Sequence, residues 1–70
     1  MIRNRLKDFR KRAGLTLRAV SERIGVPLTT YQSWERGVCY PPLDKAYMIA
    51  EIYGSTIEEL WMLGEDREGT

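Results

Sequence analysis

The sequence predicts an all-α domain, a compact bundle of five short helices, on three observations. Apolar residues recur at steps of three and four in successive stretches, a glycine follows four of those stretches, and 70 residues with 43% hydrophobic content can build one small core. Ile2, Leu6, Phe9 and Ala13 mark helix one, Ile2 to Ala13, which stops at Gly14. Thr16 is a good N-cap for helix two, whose apolar positions are Leu17, Val20 and Ile24 and whose end is Gly25. Pro27 can open helix three with its fixed φ, Tyr31 and Trp34 supply its apolar stripe, and Gly37 ends it. Tyr40-Pro41-Pro42 forces a turn, because proline lacks an amide donor and restricts the residue before it. Helix four then runs from Leu43 to Tyr53 with Leu43, Ala46, Tyr47, Ile49, Ala50 and Tyr53 as its apolar set, closed by Gly54. Thr56-Ile57-Glu58-Glu59 reads as a capping box for helix five, about Ile57 to Leu63. Residues 1–63 form the domain; residues 64–70 carry four charges and no apolar side chain, the pattern of a frayed tail.

The net charge of +1 conceals an asymmetry. Residues 1–36 hold nine basic and three acidic side chains, residues 37–70 two and seven, as expected of a domain that turns one face to a polyanion. With no histidine and a single cysteine, histidine triads, histidine metal sites, paired-cysteine zinc sites and a disulfide scaffold are excluded within one chain. No catalytic residue, metal ligand, cofactor site or small-molecule ligand is expected. No apolar run approaches the roughly 20 residues that cross a bilayer, and the start leads into charge, so a cytoplasmic protein without membrane contact is expected.

Two short helices joined by a glycine-containing turn, with a basic front half, outline a helix-turn-helix DNA reader. The residues sharpen that outline: Arg10-Lys11-Arg12-Ala13-Gly14-Leu15-Thr16, Gly25-Val26, Trp34-Glu35-Arg36-Gly37, Pro41, and Ala50 through Leu60. Over about residues 3 to 61 the chain resembles the phage Cro and repressor type of helix-turn-helix domain, the Xre family, with several elements in register. The resemblance implies a five-helix lambda-repressor-like bundle in which helix three enters the major groove and homodimers bind near-palindromic operators on double-stranded DNA. A transcriptional regulator acting as a repressor is the function it implies.

At about 100° per residue, Tyr31, Trp34 and Glu35 share one side of helix three, and Thr29, Gln32, Ser33 and Arg36 the opposite, polar side. Leu28, Thr29, Gln32 and Ser33 are the candidate base readers. Gln32 suits adenine, the hydroxyls suit several base edges, and Leu28, where the family commonly has a polar residue, either meets a thymine methyl or packs down on the domain. Thr16, Leu17, Arg18, Arg36, Tyr40 and Lys45 are the candidate phosphate contacts. Leu17 stands where the family usually has glutamine, so it can contribute only its backbone amide. Pro27 replaces the usual serine or threonine cap, Ser21 the usual alanine, and Val38 and Cys39 stand where relatives carry basic residues.

Ile57, Leu60, Trp61, Met62 and Leu63 offer more apolar surface than one short helix easily hides, and are the candidate dimer interface. Arg10 and Glu35 put opposite charges on the inner faces of helices one and three, where each unpaired would cost several kcal/mol; they are expected to pair, and relatives carry the same two residues. Two alternative readings remain: the antitoxin of a toxin–antitoxin pair, with a toxin as protein partner, or a protein-binding module without DNA affinity, suggested by apolar Leu17, Leu28, Val38 and Cys39.

Overall fold

The computed structural model describes residues 2–62, in which five helices occur and no strand. They are α1 (Leu6–Arg12), α2 (Leu17–Ile24), α3 (Leu28–Glu35), α4 (Leu43–Tyr53) and α5 (Ile57–Trp61). The apolar stripes converge on a core of Leu6, Val20, Ile24, Tyr31, Trp34, Ala46, Ile49, Ala50, Leu60 and Trp61. In this packing α2 lies against α3 and α4, and α5 against α4. No described helix is long and apolar enough to cross a membrane.

Local chemistry sets the helix ends. Thr16 Oγ1 accepts from the Ala19 amide at 3.0 Å and caps α2. At the other end Gly25 takes φ 84°, a conformation that costs an L side chain energy, and the Val26 amide reaches back to the Ser21 carbonyl at 3.0 Å. This reversal is the turn between α2 and α3. Gly37 (φ 79°) closes α3 by the same device, its amide on the Trp34 carbonyl and the Val38 amide on that of Ser33. Ser21, buried between α2 and neighbouring helices, returns its hydroxyl proton to the Arg18 carbonyl, so a polar side chain is tolerated there.

Four boundaries or faces differ from the sequence expectation, some for tertiary and some for local reasons. Helix one begins at Leu6 and not at Ile2, because residues 2–5 form a strap. Ile2 donates its amide to the Gly37 carbonyl (2.9 Å), Arg5 to that of Leu60 (2.7 Å), and Asn4 Oδ1 accepts from the Leu6 amide (3.0 Å). Ile2 still packs on the core, but from the strap; Ala13, at the far end, is exposed. Pro27 precedes α3 instead of opening it, with ψ 149°, and its carbonyl accepts the Tyr31 amide, so the helix starts at Leu28. On α4, Ala46, Ile49 and Ala50 are buried whereas Leu43 and Tyr47 form a second, exposed apolar stripe one turn apart. Finally α5 ends at Trp61, because Met62 turns left-handed (φ 52°) with its amide on the Glu58 carbonyl. Leu63 and residues 64–70 lie outside the described residues. The Thr56 cap forms, its hydroxyl accepting from the Glu59 amide at 3.1 Å, but the Glu59 carboxylate takes the Ser55 hydroxyl (2.5 Å) in place of a backbone amide.

Candidate nucleic-acid interface

The inner side of α3 is fixed by four sets of contacts. Tyr31 and Trp34 are core residues and meet edge to face, ring centroids 6.1 Å apart. Beside them the Arg10 guanidinium clasps the Glu35 carboxylate, Nε to Oε2 at 2.7 Å and Nη2 to Oε1 at 3.4 Å, with side chains only 11% and 6% exposed. Arg10 Nη1 continues to the Leu15 carbonyl at 3.0 Å, so one side chain joins α1, the turn before α2, and α3. The hydrogen bond to Glu35 raises the Arg10 pKa above its ordinary value. The Tyr31 hydroxyl meets that of Tyr53 on α4 at 2.6 Å. Burial pushes both phenols above the usual tyrosine range; for Tyr31 the bond to Tyr53 and the Glu35 carboxylate add to it.

Asn4 supplies the fourth set. Its Nδ2 donates to the Trp34 carbonyl (3.2 Å) and the Glu35 carbonyl (3.3 Å), two of the acceptors a helix leaves free at its C-terminus. Composition gives no hint of this residue's importance, since an asparagine in an apparently helical stretch reads as neutral. The signal available was its cap preference just ahead of Leu6.

The outer side of α3 is polar. Thr29 and Arg36 are exposed, and Leu28, Gln32 and Ser33 are partly so. Ser33 Oγ donates to the Thr30 carbonyl at 2.7 Å and lies 4.0 Å from Cys39 Sγ, so its proton is engaged within the helix and its lone pairs remain. Gln32 and Arg36 share a groove with Lys7, Arg10 and Leu17. Lys7, one turn before Arg10 on α1, is therefore a cation beside the polar face that motif reasoning missed; its i, i+3 spacing from Arg10 was the clue.

The other candidate contacts divide. Thr16, Arg18 and Tyr40 are exposed, while the Leu17 side chain packs inward on the core and leaves only its amide. Lys45 Nζ donates to the Ile24 carbonyl at 3.3 Å, at the C-terminus of α2, where a cation suits the helix dipole. In the expected dimer set, Leu60 and Trp61 are buried within the chain itself, so their apolar surface is already covered, whereas Ile57 and Met62 are half-buried.

Comparison with known proteins agrees with this geometry. The helix-turn-helix family model matches residues 6–60. An HTH-type transcriptional regulator of Archaeoglobus fulgidus is 32% identical over 65 residues, covering 93% of this chain and 92% of the relative. One from Methanothermobacter thermautotrophicus is 36% identical over 66 residues, 93% of this chain and 96% of its own. The cryptic phage CTXphi transcriptional repressor RstR of Vibrio cholerae is 31% identical over 70 residues, 96% of this chain and 62% of its own. With its helix pair, its polar outward helix and these relatives, the chain belongs to the helix-turn-helix family of DNA-binding transcriptional regulators.

Proposed function

We propose that the protein represses transcription by occupying a near-palindromic operator as a homodimer, with α3 of each copy in the major groove. The observation that carries this reading is the polar outer face of α3, locked from behind by the buried Arg10–Glu35 pair and bordered by Lys7 and Arg36. A rigid helix of this width fits the major groove, about 12 Å across. Gln32 offers an amide to adenine, and Ser33, its proton engaged with Thr30, accepts from the exocyclic amine of adenine or cytosine. Thr29 adds a hydroxyl and Leu28 an apolar contact for a thymine methyl. Thr16, the Leu17 amide, Arg18, Arg36, Tyr40 and Lys7 contact phosphates, and Lys45, with one donor on the Ile24 carbonyl, keeps two more for a phosphate. The relative RstR is itself named as a phage transcriptional repressor. Selection from random duplex tests the reading: two inverted half-sites whose centres lie about one helical turn, 34–36 Å, apart are expected. A pool that never enriches any sequence, with protein verified as folded, would overturn it.

A further inference from the structure

The helix α3 is eight residues long, and its own sequence does little to fix its ends. Pro27 gives it no side-chain cap, and its last turn carries no basic residue to meet the helix dipole. So short a helix is marginal alone, and its line is set by what holds it from outside. At the C-terminal end that is the strap of residues 2–5. The Ile2 amide donates to the Gly37 carbonyl at 2.9 Å, and Asn4 Nδ2 to the Trp34 and Glu35 carbonyls at 3.2 and 3.3 Å. Glu35 is thereby gripped twice, at its carboxylate by Arg10 and at its carbonyl by Asn4. The strap is anchored in turn: the Arg5 amide donates to the Leu60 carbonyl at 2.7 Å, and Asn4 Oδ1 accepts the Leu6 amide at 3.0 Å. That last bond decides which way the Asn4 amide faces, since the flipped group would set its oxygen against two carbonyls.

We infer that Asn4 is a positioning residue for base recognition, one that acts without touching a base: through the Trp34 and Glu35 carbonyls it sets where the last turn of α3 lies in the major groove. The inference rests on the proposed operator reading. Two of the candidate readers, Gln32 and Ser33, belong to that last turn. Their carbonyls accept the Arg36 and Val38 amides at 3.0 Å each, so a displaced helix end carries their backbone with it. A bidentate contact between an amide and adenine survives a displacement of only about 0.5 Å. A long, flexible cation such as Lys7 or Arg18 follows a phosphate over a greater distance. Loss of the Asn4 donors therefore erodes discrimination between sequences and spares the attraction that any duplex exerts.

Fluorescence anisotropy on a selected site and on random duplex tests this, at a temperature where circular dichroism shows every variant folded. Asn4→Ala should lower affinity for the selected site at least about tenfold, and change random-duplex affinity and its salt slope by less than about twofold. Asn4→Asp keeps an oxygen for the Leu6 amide but turns a carboxylate toward the two carbonyls, and should lose at least as much specific affinity; either variant suffices if the other fails to fold. In the Asn4→Ala background, Gln32→Ala should cost less than about twofold, against at least about fivefold in wild type. Ile52→Ala, at a half-buried position on α4, is the control for lost stability and should keep the wild-type ratio of specific to random binding. Asn4 variants with an unchanged ratio, losses additive with those of Gln32→Ala, or a ratio that falls equally in Ile52→Ala would overturn the assignment. A wild-type chain that selects no sequence would remove the operator reading and this role with it; one that selects sites while the Asn4 variants keep its ratio would remove this role alone.

Discussion

Glu35 and Arg10 matter because each is tolerable only in the presence of the other. With both nearly buried and aligned over two hydrogen bonds, deleting one strands a charge in a low-dielectric interior. Arg10→Met or Glu35→Met alone should therefore lower stability by about 3–5 kcal/mol in urea unfolding, whereas the double apolar variant should cost much less. Strictly additive losses would contradict the coupling. On the opposite side of the same helix, residues should separate by what they touch. Gln32→Ala should cost about 1–3 kcal/mol on the selected site and relax one base position per half-site. Lys7→Ala should weaken all sequences alike and reduce the salt slope by about one per copy. Equal behaviour of the two variants in competition titrations would erase the distinction between reading and positioning.

At the level of elements, α3 is held to α4 through the Tyr31–Tyr53 hydroxyl pair, and this has a consequence at alkaline pH. Both phenols are raised above the usual tyrosine range, chiefly by burial. The unfolded chain releases those two protons near pH 10 while the folded one keeps them, so this stabilisation is complete below about pH 10 and declines as pH rises beyond it. Urea midpoints measured from pH 8 to 11.5 should fall at the alkaline end, and Tyr53→Phe should flatten that fall; a profile indifferent to Tyr53 would contradict the assignment. The elements also show what sequence can and cannot convey. The limits of α2 and α4 were readable because Thr16, Gly25, Pro42 and Gly54 act on their own neighbours. The start of α1 was not, since residues 2–5 obtain their hydrogen bonds from Gly37 and Leu60, distant in sequence. Leu43 and Tyr47 obeyed helical spacing yet lie outside the core, because periodicity reports a face and not what covers it. Lys7 lines a groove with Gln32 and Arg36, and Lys45 reaches the Ile24 carbonyl, for a similar reason: a cation's neighbours are decided by the fold, not by its distance from a motif.

For the whole molecule, charge sets the terms of docking. The basic half of the sequence contains α1 to α3 and the acidic half α4 and α5, which on the proposed reading draws a duplex to the α3 side and repels it from the other. A dimer touching about eight phosphates should lose affinity with a log–log salt slope near −7, and a slope shallower than about −2 on a specific site would rule out phosphate-led docking. The central claim, that the outer face of α3 meets DNA, is tested most directly by backbone amide chemical shifts during titration with a selected duplex. The account predicts that the largest changes fall on Lys7, Thr16 to Arg18 and Leu28 to Arg36, with residues 57–61 of α5 little altered. Changes concentrated on α4 and α5 with α3 silent would contradict it.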